Sequence, residues 1–180
     1  MMGRTHVLIG MDAVWWVKAL PPIVQPDPGT ILLCFVAAGL GSLLPDLDAQ
    51  SSLLQNLSLL GVRPFRLFGV LIAPSGHRGL LHSQWGILLI AFVTFPLALW
   101  SVTAWISLVL GFCTHLAADA CTRGGIRFRY PDQSRYHLLP RPLLLVTGSP
   151  PEDLVFALAA CTLVLLILRI PLAPTSFSPF

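Results

Sequence analysis

Residues 79–118 read GLLHSQWGILLIAFVTFPLALWSVTAWISLVLGFCTHLAA, forty residues without one Asp, Glu, Lys or Arg. A helix needs about 20 apolar residues to cross a bilayer. This stretch is therefore long enough for two crossings. They are predicted at 83–100 and 103–121, with the turn at Trp100-Ser101 and a kink at Pro96. Outward from it, Thr30 to Pro45 makes a further span. Leu154 to Ile170 makes another, opened by Pro150-Pro151-Glu152-Asp153, whose acids suit the positive end of a helix dipole. His6 to Val24 contains Asp12 and Lys18 as well as Trp15-Trp16. It reads either as a span or as a helix lying in the interface. Segment 53–73, interrupted by Arg63, Pro64 and Arg66, reads as interfacial or re-entrant. The expected fold is all-α: one domain over 1–180, an integral membrane bundle of four to five spans with an interfacial segment.

Composition agrees. Of the 180 residues, 55% are hydrophobic and 11% charged, against a usual charged share of roughly a quarter. Mean hydropathy is +0.78. Disorder is excluded, and the composition argues hard against an ordinary water-soluble globule, because too few charges exist to cover a wet surface. A net charge of +3 does not argue for nucleic acid. Cys34, Cys113, Cys121 and Cys161 form no CxxC pair and read as small buried hydrophobes. No small-residue cleavage site follows the first apolar stretch, so a cleavable signal peptide is not expected.

Charge bias orients the bundle. Arg4, Arg63, Arg66, Arg78, Arg123, Arg127, Arg129, Arg135 and Arg141 are nine of the eleven basic residues. All nine fall in the N-terminus or in the 47–82 and 122–150 connections, which share one side. The opposite loops hold none. The shared side is expected to face the cytoplasm.

Polar residues mark the ends of the spans on that same side. His6 opens the first segment, and Asp46 and Asp48 close the second. His77 and His82 precede the third; His115 and Asp119 end the fourth. His115 and Asp119 are four apart and share a helix face. In an extended PDLD segment Asp46 and Asp48 point the same way; in a continuing helix they diverge by about 200°, and one alone is usable. The turn Gly76-His-Arg-Gly79 folds His77 and His82 toward each other. Imidazole with carboxylate suits zinc and tolerates manganese or iron(II).

Plainer readings compete. A His at a membrane boundary is commonly an interfacial polar residue, and His137 is read so. Ionisable groups at membrane depth can simply pair with one another, as Asp12 and Lys18 can, yet their default reading is functional. A structural polar cluster or a proton pathway are the alternatives to a metal site. The arginines of 123–141 either only set orientation or also grip an anionic substrate.

The order His6, Leu44-Pro45-Asp46-Leu47-Asp48, Gly76-His77-Arg78-Gly79-Leu80-Leu81-His82-Ser83 and His115-Leu116-Ala117-Ala118-Asp119, followed by Thr122 and Gly124, resembles the YdjM-like family. Those are bacterial inner-membrane proteins regarded as metal-dependent hydrolases. The likeness runs from His6 to about Asp153. That family in turn looks distantly like the zinc-dependent phospholipase C and single-strand nuclease superfamily. The resemblance implies His6, Asp46, His77, His115 and Asp119 as metal ligands, with His82 next. It implies that Asp48 orients an imidazole. The soluble enzymes use further His and Asp residues that are scarce here, so one or two ions are expected, Zn2+ before Mn2+ or Fe2+.

The leading expectation is a membrane-embedded hydrolase of phosphoester bonds, using a metal-activated water. Asp48 or Asp46 would accept the proton. Arg78 and Arg123, neighbours of the proposed ligands in sequence, would clamp the substrate anion. A site at the lipid–water boundary suggests a phospholipid or lipid-linked phosphate as substrate and membrane lipids as partners. The rivals are a scaffold with a structural metal and, ranked lower, a divalent-cation transporter.

Overall fold

The computed structural model describes residues 1–15, 28–49, 52–58, 61–66, 69 and 78–168. Six helices of more than one turn carry these residues: α1 (Gly3–Asp12), α2 (Pro28–Leu43), α3 (Gln84–Val93), α4 (Phe95–Trp100), α5 (Val102–Ala120) and α6 (Pro150–Leu168). Short 3-10 turns occupy Pro45–Asp48, Leu80–His82 and Arg141–Leu143, and a single α turn occupies Leu53–Asn56. Isolated bridges join Thr122 with Leu145 and Ile126 with Tyr136, and no strand forms among the described residues. The all-α expectation holds.

Helix starts follow local chemistry. Ser83 caps α3, its hydroxyl accepting from the N–H groups of Trp85 and Gly86 at 3.2 and 3.4 Å, as the first turn's orphan donors require. Ser101 caps α5 in the same way through Ala104 N–H at 3.3 Å. Proline opens α2 and α6, where a missing N–H costs nothing.

Among the described residues, three stretches are long and apolar enough to cross a membrane: Pro28–Asp48, Val102–Ala120 and Pro150–Leu168. The 83–100 segment departs from the continuous kinked span expected of it. It is two helices, α3 and α4, meeting at Thr94. Pro96 has no N–H to continue the ladder and its ring clashes with the preceding turn. The break is stitched by Thr94 Oγ1 donating to Ile90 O at 2.6 Å and by Trp105 Nε1 of α5 donating to Ala91 O at 3.2 Å. The second half of the 6–24 segment, with Lys18 and Trp16, lies outside the described residues, as does much of 53–73. From the latter, Phe65 packs against the buried cluster of Leu47, Leu54 and Leu81.

The centre of the bundle is the contact between α2 and α5. Glycine makes it close. A Cβ on Gly41 would run into the backbone of Leu108, and one on Gly111 into the carbonyl of Ala38. Helix α1 crosses this pair, with Gly10 against Ser42. Helix α6 packs outside α1. The periphery is apolar and open: Phe92 and Leu99 are each 80% exposed. Side chains of this kind suit lipid rather than water.

The 121–149 connection folds back over one end of α5. Leu145 O accepts from Arg123 N–H at 2.9 Å, and Leu145 N–H donates to Cys121 O at 3.0 Å. At the exposed tip, Asp132 accepts from the hydroxyl and the N–H of Ser134 at 2.6 and 3.0 Å. Those bonds hold its carboxyl below the usual carboxylate range.

Candidate metal centre

The end of α5 supplies His115 and Asp119 on one face, as their spacing requires. The His115 side chain is fully buried. Its Nδ1 lies 2.6 Å from the carbonyl oxygen of Ser42 on α2. A carbonyl only accepts, so Nδ1 carries the proton and Nε2 presents a lone pair. That nitrogen is buried without a hydrogen-bond partner among the described residues, and it sits 3.5 Å from Asp46 Oδ1.

Around it gather the other predicted residues. His6, on α1, stacks on the His115 ring with centroids 3.7 Å apart, and its Nε2 is 3.3 Å from Asp119 Oδ1. His82 meets His115 edge to face at 5.3 Å. Its Nε2 lies 3.8 Å from both Asp46 Oδ1 and Asp119 Oδ2. Its Nδ1 lies 3.6 Å from Asp48 Oδ2. Asp119 Oδ1 also takes the chain's amino group at 2.6 Å.

Asp46 and Asp48 reach this place by a route the sequence left open. Pro45–Asp48 is neither extended nor α-helical but a 3-10 turn. At about three residues per turn, positions two apart point in different directions. The two carboxylates therefore flank His82, one facing each ring nitrogen. The side chain of Asp46 is a quarter exposed, whereas that of Asp48 is fully buried.

Arg78 closes the cluster. Its φ of +61° is an uncommon left-handed conformation for a side-chain-bearing residue. Three bonds hold it there. Its N–H donates to Asp48 Oδ2 at 2.9 Å, Nη2 to Asp119 Oδ2 at 2.7 Å, and Nη1 to Gly125 O at 3.2 Å. Gly124 leaves room for the guanidinium, since a Cβ there would strike Nη1.

Among the described residues two triads could each hold an ion: His6, His115 and Asp119, or Asp46, His82 and His115, with the ligand atoms of each within 4.8 Å of one another. The donor set fits a borderline divalent metal. Three carboxylates against one guanidinium and the chain's amino group in a nearly dry pocket leave one negative charge that a cation would offset. The triads share His115, which has one nitrogen to give, so both cannot be complete at once.

Not every expected residue arrives. His77 lies outside the described residues. Arg123 is exposed, and the pocket beside Arg78 is lined instead by Arg127 and Arg135 with Gly124, Gly125 and Ile126. His137 is exposed, with Nε2 at 3.4 Å from Arg123 O. Glu152 has a part that helix-dipole reasoning alone did not reveal. Buried at 1% exposure, its carboxylate accepts from Met2 N–H at 2.5 Å, Thr5 Oγ1 at 3.1 Å and Gly148 N–H at 2.7 Å. It fastens the first turn of α1, and with it His6, to α6. The clue was an acid at the head of an apolar helix, four residues after a glycine.

The chain is similar to the uncharacterized protein YvsG of Bacillus subtilis strain 168, with 29% identity over 169 residues covering 89% of this chain and 92% of the relative. No solved structure matches. The family model for the YdjM inner membrane protein matches residues 1–174, so this chain is a member of the YdjM inner membrane protein family.

Proposed function

We propose that the protein is a metal-dependent hydrolase of phosphoester bonds, set in the bacterial inner membrane with several crossings and its site at the cytoplasmic face. One observation carries this reading: His115 Nε2, left as the lone-pair nitrogen of the neutral ring because Nδ1 donates to Ser42 O, is buried without a hydrogen-bond partner among the described residues and is surrounded by His6, His82, Asp46 and Asp119. The arginine bias of the 122–150 connection supports the orientation. The apolar periphery supports the embedding.

His115 would hold one divalent ion, zinc being the best match to the donors, with partners drawn from His6, His82, Asp46 and Asp119. Such an ion acts as a Lewis acid and lowers the pKa of water to ~7. The remaining roles belong to the chain. Asp48 faces His82 Nδ1 and fixes which nitrogen of that ring is offered. Asp46 is the carboxylate with access to solvent and is the better placed of the two to accept a proton. Arg78 reaches from Asp119 to the rim of the neighbouring pocket and binds the phosphoryl oxygens there. A substrate anchored in lipid would bring its phosphate to this depth.

The test is metal content of detergent-purified protein by mass spectrometry, for wild type and for His115→Ala and Asp119→Ala. About one equivalent of metal is expected in wild type and little in either variant. Undiminished metal in both variants would remove the centre from this place. Turnover of generic phosphomonoesters and phosphodiesters should stop on chelation. Cobalt spectra separate a catalytic centre that keeps an open position from the closed four-ligand site of a scaffold.

A further inference from the structure

Beside the buried cluster, and sharing only Arg78 with it, is a pocket of about 250 Å³ lined by Arg78, Gly124, Gly125, Ile126, Arg127 and Arg135. Among the described residues no carboxylate lines it. Arg127 and Arg135 are brought there by a folded loop, and Arg78 reaches in from the turn before Leu80–His82. Ile126 and Tyr136 exchange backbone hydrogen bonds of 3.1 and 2.8 Å as an antiparallel bridge. One step along, Arg127 and Arg135 occupy the next facing positions. Like charges so placed repel each other. Two successive carbonyls of the 124–125 turn then hold a guanidinium each: Arg135 Nη1 donates to Gly124 O at 2.9 Å, and Arg78 Nη1 to Gly125 O at 3.2 Å. The charge of Arg78 is met by Asp119 at 2.7 Å. The charges of Arg127 and Arg135 face the pocket with no acid in its lining.

We infer that this pocket binds a phosphate carrying close to two negative charges, that is, a phosphomonoester rather than a phosphodiester. A monoester phosphate carries about −1.5 to −2 near pH 7 and offers three acceptor oxygens; a diester carries one charge. Two uncompensated guanidiniums match the former, and each can bond oxygens in a bidentate way. The volume lies under the roughly 300–1,000 Å³ of pockets that enclose a whole small ligand, so it admits a headgroup while the remainder of the molecule stays outside. The inference rests on the hydrolase reading for the role of the bound group and narrows its substrate from phosphoesters at large to monoesters. Binding itself does not depend on the metal.

The experiment uses full-length protein in phosphatidylcholine nanodiscs. Soluble arms measure glycerol 3-phosphate against the diester glycerophosphoglycerol. Lipid arms measure phosphatidic acid against phosphatidylglycerol. The monoester should bind roughly tenfold or more tightly within at least one pair, and which pair shows it identifies a soluble or a lipid source. Arg127→Gln and Arg135→Gln should each cost about tenfold, or ~1.4 kcal/mol, with metal content equal to wild type. The paired Arg127→Lys, Arg135→Lys variant keeps the charge should the glutamine variants misfold, and should retain part of the preference. Equal affinity for monoester and diester in both pairs overturns the inference; so does wild-type binding by the double glutamine variant. Wild type that binds monoester but holds no metal leaves the pocket standing and removes the hydrolase.

Discussion

On one side of Arg78 lie three imidazoles and three carboxylates, nearly dry and rich in electron pairs. On the other lies an open basin with guanidiniums and no acid in its lining. The first is built from helix ends and two 3-10 turns and rests on the α2–α5 seam. The second is built from a loop clamped by two isolated bridges. The proposed cation site thus lies on packed helices, where ligand geometry is best held. The proposed anion site lies on a loop.

The strongest blow to this contrast is to break the support of both sides. Gly111→Leu would force a side chain into the Ala38 backbone, at the upper end of the roughly 1–3 kcal/mol usual for overpacking or beyond it. Melting in detergent should fall steeply, and metal and anion binding should be lost together. A variant that keeps both would show that the seam supports neither. Asp48→Asn acts on one side. It keeps an acceptor for Arg78 N–H but removes the charge facing His82, and metal affinity should drop roughly 10–100-fold while monoester binding stays. Loss of both would show the two sides to be one site. Gly124→Ala acts on the other side by displacing the Arg78 guanidinium. Monoester affinity should fall by about tenfold or less, with metal content changed little. The smallest effect belongs to Arg4→Ala. Its partner Asp153 is 2.7 Å away, but both side chains are more than half exposed, so stability should change by about 0–1 kcal/mol, less in high salt, and neither binding should move.

The two sides also differ in how far the sequence exposed them. His115 and Asp119 are read from a helical spacing, and the charge-free run around them fixes the helix. Asp46, Asp48 and His82 are read from their positions at the ends of apolar segments, although the 3-10 turn that makes both aspartates usable was not among the backbone shapes considered. For the arginine basin the sequence offers the 123–141 arginines as an anion grip but points to Arg123 among them, because neighbours in sequence are a poor guide inside a loop. Arg123 adjoins the cluster along the chain, yet its backbone is engaged by Leu145 and its side chain is exposed. Arg127 and Arg135 meet because Ile126 pairs with Tyr136, a contact with no local signature. The break at Thr94 shows the same limit: Pro96 announced a disturbance, but a kink and a full stop look alike until Trp105 is seen to bond Ala91.

The bond that fixes the His115 tautomer ends on a peptide carbonyl, which every amino acid carries. No replacement at position 42 can delete that acceptor; the Ser42 hydroxyl is separately committed to Gly39 O at 2.7 Å. Saturation mutagenesis there would report on bulk alone, because the Ser42 side chain faces Gly10 with a Cβ site 2.9 Å away. Alanine should be accepted and larger residues refused. The ring's protonation pattern is in this sense written into the main chain, out of reach of codon changes at that position.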